Sequence, residues 1–301
     1  MRLKTVTRTQ GNNLALKDGT VTPDGVVLEF QEVDPLIRAF RRMVRAREYD
    51  VCELAITTYL CAKEHGKAFT ALPVFLVRGF HHGATLAPPG TSPKDLEGRR
   101  VGVNRGYTVT TGVWARGVLA QEQGVELDEV TWVLSGDEHV AEYVPPPNVV
   151  PLEGGGDLGE LVAAGELVAA IGVDTTGLVP VVPDAEEAGY AALRDRGHYP
   201  INHLVVVKDE LLAEHIGLAR ALFDAFSEAR DRYVERLRAD ALEQPTAADR
   251  MYRRVMEITG GDPLPYGVEP NRHVLEELID HALAQKILRR RPVLDELFAP
   301  V

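Results

Sequence analysis

Cysteine is almost missing from this chain: Cys52 and Cys61 are the only two in 301 residues, and their spacing is neither metal-type nor redox-type. A disulfide framework is excluded, and the usage fits a reducing compartment. Long apolar runs are missing too, since none approaches the ~20 residues that a membrane span requires. Positive charge is in deficit, with 33 basic against 45 acidic side chains, a net charge of −12 and no long basic run. Neither a nucleic-acid backbone nor an anionic membrane surface is therefore expected as a partner. The first residues, Met1-Arg2-Leu3-Lys4-Thr5-Val6-Thr7-Arg8, alternate like a strand and lack the apolar centre of a signal peptide and a lipobox cysteine. That pattern points to the cytoplasm. The chain also lacks a G-x-S-x-G elbow, a P-loop and any fixed-period repeat.

What is present is a large apolar fraction, 45% of residues, enough at this length to bury roughly three quarters of the unfolded surface, more suited to two domains than one. Strands are expected at Leu3 to Thr7, Val26 to Phe30 and Phe69 to Val77, with a short extended piece at Tyr49 to Val51. Between them, Leu36, Ile37, Phe40, Met43 and Val44 fall at helical spacing after Asp34-Pro35, read as cap and first helical position. A Pro/Gly-rich stretch at 87–93 opens a second block. It has strands at Val101 to Val103, Val130 to Leu134 and Leu167 to Val173, and helices at Thr110 to Gln123 and Asp157 to Ala164. Ile201 to Val207 is a further apolar strand, and the chain is helical beyond Lys208. Alternation of this kind gives an α/β class with two lobes and mainly parallel strands.

Ligands of open α/β sheets sit beyond the carboxyl ends of strands, so the post-strand loops carry the candidate chemistry. Arg78 and His82, just past an apolar strand, could grip a carboxylate and supply a proton. The adjacent pair His81-His82 does not suggest zinc, because neighbouring strand residues point apart and no third ligand is locally spaced. The turn Asn104 to Thr111 sets helix N–H groups and the Thr110 and Thr111 hydroxyls where an anion could bind, which an ordinary threonine cap would equally explain. Glu53, at a strand end, needs a partner or a task. His203 opens an apolar strand. Gly154-Gly155-Gly156-Asp157-Leu158-Gly159 matches a dinucleotide pattern literally, but the flanking Pro151 and the short following helix mark it as a loop.

Several strings together resemble the 4,5-dihydroxyphthalate decarboxylase family. They are Tyr49-Asp50-Val51-Cys52-Glu53-Leu54, Pro73-Val74-Phe75 with Arg78 and His82, Val113-Trp114-Ala115-Arg116-Gly117, Tyr199-Pro200-Ile201-Asn202-His203, and Asp262 through Arg272. The likeness runs in order from about Leu14 to Phe298. It implies a two-lobed type II periplasmic-binding-protein-like fold with a central cleft and a helical C-terminal segment. Residues 1–83 and 204–301 would form one lobe and 84–203 the other. It also implies a carboxy-lyase acting on a small hydroxylated aromatic carboxylate with no organic cofactor; no metal ligand is assigned from sequence, and a homo-oligomer is left open. By motif match, His203, His82 and Glu53 take catalytic roles; Arg78, Tyr107, Thr110 and Thr111 take substrate-binding roles. Where the family has Tyr-Asp-Arg-Thr after the first strand, this chain has Gln10-Gly11-Asn12-Asn13, and where it often has an arginine, this chain has Asp174-Thr175-Thr176. Asn12 and Thr175 are carried as substrate-binding candidates in those places, and a dianionic phthalate is disfavoured by the missing arginines. The same fold could instead serve a small-anion binding protein or a lyase that releases water.

Overall fold

The computed structural model describes residues 1–174 and 176–301. Thr175 lies outside the described residues. In chain order the elements begin with β1 (Arg2–Val6), α1 (Leu14–Lys17), β2 (Val27–Phe30), α2 (Ile37–Ala46), β3 (Val51–Ala55), α3 (Ile56–Glu64) and β4 (Phe69–Arg78). Next come β5 (Thr85–Ala87), β6 (Arg100–Val103), α4 (Thr110–Gln121), β7 (Thr131–Leu134), β8 (Val149–Pro151), α5 (Leu158–Ala163), β9 (Ala169–Ile171), β10 (Val179–Pro180) and α6 (Ala185–Arg196). The chain ends with β11 (Ile201–Lys208), α7 (Asp209–Glu214), α8 (Leu218–Arg238), α9 (Ala247–Thr259) and α10 (Arg272–Ala284).

Two compact units result. The first comprises Met1–Gly79, Ile201–Leu275 and Pro292–Val301, the second Phe80–Pro200 and Glu276–Arg291. The boundaries expected from sequence, 1–83 with 204–301 and 84–203, shift accordingly. Ile201 already pairs with Arg78 in the first sheet. The stretch 276–291 goes to the second unit, where Gln285 bonds to Arg116 and Lys286 to Asp128.

The first unit holds a sheet in the order β2-β1-β3-β11-β4. β1 is parallel to β2 and β3, while β11 lies antiparallel between β3 and β4. Val205, Val206 and Val207 of β11 are wholly buried, as a central strand covered on both faces requires. Pro73 breaks the regularity of β4 because it has no N–H to give to the ladder. The β11 pairing slips at this point, with Leu204 opposite Phe75 but Val205 opposite Leu72. The Pro73 carbonyl accepts the Gly267 N–H at 2.8 Å, and Gly267, at φ +93°, adopts a conformation that other residues enter only with strain. This ties the 264–271 segment to β4.

The second unit has the strand order β10-β5-β9-β6-β7-β8, with β6 to β9 parallel and β5 and β10 antiparallel. Trp114 of α4 and Trp132 of β7 are wholly buried in its core. β5, β8, β10 and α6 add to the elements expected from sequence. The glycine string at 154–159 is a loop through Asp157 whose last two residues, Leu158 and Gly159, begin the six-residue helix α5, with its first free N–H groups capped by Asp157. The helix expected to be capped by Asp34 starts later, at Ile37, with Leu36 as its N-cap. The Asp34 carbonyl oxygen instead accepts a bond from the Arg38 side chain. Among the described residues no helix is long and apolar enough to cross a membrane.

Candidate functional site

Glu53 is wholly buried in the middle of the first sheet, where an unpaired carboxylate would be costly. Both its oxygens are occupied: Oε1 lies 2.6 Å from His203 Nδ1, and Oε2 accepts the backbone N–H of Arg8 at 2.8 Å. The register explains the pairing. Val205 lies opposite Glu53, so His203, two residues earlier on the same face of β11, is its diagonal neighbour. The edge of Phe40 packs against the His203 ring with centroids 5.1 Å apart. With Nδ1 committed to the carboxylate, Nε2 is the nitrogen left for exchange with a ligand.

Arg8 also lines a cavity of about 1100 Å³ in the first unit, together with Gly11, Asn12, Tyr233 and Tyr252. Its charge is mixed. Arg8, Arg232 and Arg236 contribute cations and Asp18, Glu243 and Asp249 anions. Asp18 accepts the Thr20 N–H, and Asp249 is held by the Tyr233 hydroxyl and by Thr246, whereas Arg232 pairs with Glu228. Burial pushes the Tyr252 hydroxyl up to about 12, with a bond from the Arg78 backbone and the Arg78 charge opposing. Asn12 is buried; its Nδ2 donates to the Leu76 carbonyl at 2.9 Å, which pins the post-β1 loop to β4. Its Oδ1 is buried without a partner.

Arg78 is also in the first unit, and only 4% of it is exposed. Its guanidinium donates to Asn271 Oδ1 and lies 5.8 Å from the centre of the Phe75 ring. Asn271 in turn donates to the Pro265 and Gly267 carbonyls at 2.9 and 2.7 Å. One amide therefore joins the end of β4 to the 264–271 segment. Sequence reasoning quoted Asn271 within a motif but gave it no task, because its partner is 193 residues away.

His82 belongs to the second unit and is almost fully buried. Its Nε2 lies 3.0 and 3.1 Å from the two Glu122 oxygens, and Arg196 also donates to Glu122. His198 approaches edge-on, with ring centroids 5.6 Å apart, and its Nδ1 lies 2.9 Å from Glu277. Trp114 meets the rings of both His198 and His281 at 5.5 Å. Burial alone would raise the Glu277 carboxyl, but hydrogen bonds from His198 and His281 outweigh it and hold the group well below the usual carboxylate range. Burial pulls His198 below its ordinary value, with Glu277 opposing. Glu122, Glu277 and His281 were invisible to motif reasoning, which looks for ligands close in sequence.

The turn before α4 has an anion of its own. The backbone N–H groups of Tyr107 and Thr108 donate to the Glu138 carboxylate, and the Thr108 hydroxyl joins them at 2.6 Å. A Cβ on Gly106 would lie 2.6 Å from a Glu138 oxygen, so only glycine lets that carboxylate come so close. Arg116, wholly buried, donates to the Tyr107 carbonyl at 2.6 Å and stacks on the Tyr107 ring at 3.8 Å. Thr110 is buried at the first position of α4, and Thr111 is half-buried. Of the residues picked from sequence, Glu53, His203, Arg78 and Asn12 share the first unit, and His82, Tyr107, Thr110 and Thr111 the second.

No family model matches this sequence. Curated relatives do. The chain is 30% identical to a 4,5-dihydroxyphthalate decarboxylase of Comamonas testosteroni over 307 aligned positions, covering 95% of this chain and 92% of that protein. It is 34% identical to a 4,5-dihydroxyphthalate decarboxylase of Pseudomonas putida over 168 positions, which is 52% of this chain and 64% of that one. Among solved structures it is similar to the alkanesulfonate-binding protein SsuA of Xanthomonas axonopodis. There the TM-score is 0.54 at 14% identity, with 100% of this chain and 98% of that chain covered. The fold is thus the two-lobed α/β fold of periplasmic binding proteins, and by its near full-length likeness the chain belongs to the 4,5-dihydroxyphthalate decarboxylase family of carboxy-lyases.

Proposed function

We propose that this enzyme releases CO2 from a hydroxylated aromatic carboxylate of the dihydroxyphthalate type, with the Glu53–His203 pair managing the proton. The observation that carries the reading is the buried Glu53 carboxylate held 2.6 Å from His203 Nδ1, joined through Arg8 to a cavity of about 1100 Å³. That geometry suits an imidazole fixed in one orientation by an acid, the arrangement that makes histidine an efficient proton donor near neutral pH.

The chemistry follows from the substrate class. A ring hydroxyl ortho or para to the carboxylate pushes electrons toward the carbon that bears it. His203 Nε2–H gives its proton to that carbon as the hydroxyl releases its own to solvent water, leaving a dienone-like intermediate. The carbon–carbon bond then breaks, its electron pair returns to the ring and the oxygen, the oxygen takes back a proton from water, and solvent recharges His203 with the proton it gave. The net exchange is one proton for one CO2, and aromaticity is restored. The hydroxylated ring is its own electron sink, so the step calls for no organic cofactor. Glu53 stabilises the imidazolium before transfer. The Arg8 guanidinium, which makes no ion pair among the described residues, receives the carboxylate. Arg78, with its guanidinium on Asn271, braces the end of β4. His82, bound to Glu122 in the second unit, is not needed as the acid. Cys52 and Cys61 are buried free thiols, which fits a reducing compartment, and the reaction is assigned to the cytoplasm.

The test is CO2 release by the purified chain from a panel of hydroxybenzoates and hydroxyphthalates. The expected result is turnover of at least one ring acid, with His203→Gln reduced by about 10²-fold or more. Tight binding of a small anion without CO2 release from any acid in the panel would overturn the reading in favour of a binding protein.

A further inference from the structure

We propose that His82, Glu122 and His198 form a binding site in the second unit for a divalent transition-metal ion, with Zn²⁺ as the best-suited ion. One ligand atom from each residue can be chosen so that all three lie within 4.8 Å of one another. The donor set, two imidazoles and one carboxylate, is the set that three-ligand zinc sites use, with a fourth position left for water or substrate.

Three observations fit a ligand site, and the second of them is one that a plain hydrogen-bonded cluster does not explain. First, His82 Nε2 stands 3.0 and 3.1 Å from the Glu122 oxygens. Neighbouring donors on a tetrahedral ion with bonds of about 2.0–2.1 Å are separated by about 3.3 Å, so this pair is already near its bound spacing. Second, His198 Nε2 is buried and has no hydrogen-bond partner, an expensive condition for a polar atom that has no other purpose. Third, His198 Nδ1 is held at 2.9 Å by Glu277. A ligating histidine typically gives its other ring N–H to a carboxylate in this way, which sets the tautomer and makes the free nitrogen a better donor.

The surroundings agree. Trp114 packs edge-on to His198, fixing its ring plane. Arg196 donates to Glu122 and is the one cation bonded to the cluster among the described residues. Glu122 and Glu277 together bring two carboxylates against it, so a divalent ion meets a net negative shell. Adjacent-residue spacing could not reveal this arrangement. The ligands come from the end of the segment after β4, from the residue following α4 and from the residue following Gly197 at the end of α6. The site stands apart from the Glu53–His203 reading and does not depend on it.

The experiment uses the full-length chain, stripped with a chelator and then dialysed against Zn²⁺ or Co²⁺ before removal of excess metal. Elemental analysis is expected to find one ion per chain. The Co²⁺ form should show visible d–d absorption, and X-ray absorption at the metal edge should report two imidazole ligands. Glu122→Gln and His198→Gln should lose stoichiometric metal, and Glu277→Gln should weaken binding by about 10–100-fold without abolishing it. Circular dichroism checks that each variant folds; if the variants do not fold, the X-ray absorption of the wild-type metal form decides alone. Less than a tenth of an equivalent retained by the wild type, full retention in folded Glu122→Gln and His198→Gln, or a coordination shell without imidazole would each overturn the assignment.

Discussion

Glu53 and His203 are 150 residues apart in the chain, and their side chains meet at 2.6 Å because antiparallel β3 and β11 place them diagonally on one face. The carboxylate is wholly buried while the imidazole keeps a small exposed surface, 15% of its side chain. One partner is therefore fixed and the other can reach a ligand. Replacing His203 with glutamine removes the proposed proton carrier and should lower kcat by about 10²–10⁴-fold. Glu53→Gln keeps the shape but not the charge, and should lower kcat by at least about tenfold with little change in KM, since neither oxygen meets substrate. Steady-state CO2 release with both variants checks this pair of outcomes.

Arg8 has two separable tasks. Its main-chain N–H holds Glu53, and its side chain lines the cavity. Arg8→Ala preserves the first and removes the second. The loss of a charge-assisted hydrogen bond, about 1.5–3 kcal/mol, corresponds to a rise in KM of about 10–150-fold with kcat nearly unchanged. A fall in kcat at constant KM would move Arg8 from binding to chemistry.

Gly11 lies against the Tyr233 ring so closely that an added Cβ would sit 2.1 Å from its Cε2 atom. The ring has little room to yield, being buried and bonded through its hydroxyl to Asp249. Gly11→Ala should destabilise the protein by about 1–3 kcal/mol, the usual cost of overpacking. A urea titration measures the loss, and a lowered affinity for substrate should accompany it because Gly11 lines the same cavity as Arg8 and Asn12.

Asp249 stands at the third position of α9 and closes a capping box with Thr246. Burial would raise its carboxyl, but the bonds from Tyr233 and Thr246 prevail and hold it below the ordinary 3.8. The folded form thus favours the ionised acid. Its contribution is complete above about pH 4, the unfolded value, and is lost as pH falls through the lower folded value. Asp249→Asn should cost about 1–2 kcal/mol at neutral pH and flatten the acid side of the stability profile. Denaturant midpoints at pH 7, 4 and 3 test both parts.

Local pattern made the fold legible. The apolar run of β4, the helical spacing in α2 and the strand β11 all lie within stretches short enough for periodicity to speak. The family strings named Glu53 and His203 separately, without pairing them; the register of β3 and β11 is what makes them neighbours. Other parts depend on long-range geometry that no window contains. Glu122 meets His82 across 40 residues, Glu277 meets His198 across 79, and Asn271 meets Arg78 across 193. Each partner is an ordinary polar residue on a helix or in a loop, so nothing nearby marks it. The cavity arginines Arg232 and Arg236 were hidden for the same reason: on α8 they read as the solvated face of an amphipathic helix.

Glu138 gives the turn before α4 a property that neither its backbone nor its threonines disclose. A carboxylate tethered by some thirty residues of the same fold competes with dissolved anions at an effective concentration in the millimolar range or above. Phosphate, sulfate and stray metabolites at cellular levels have to displace it, and in doing so would strand an acid beside the Tyr107 ring. Selectivity at this corner of the second unit therefore begins with exclusion: the chain keeps the seat filled with a member of its own.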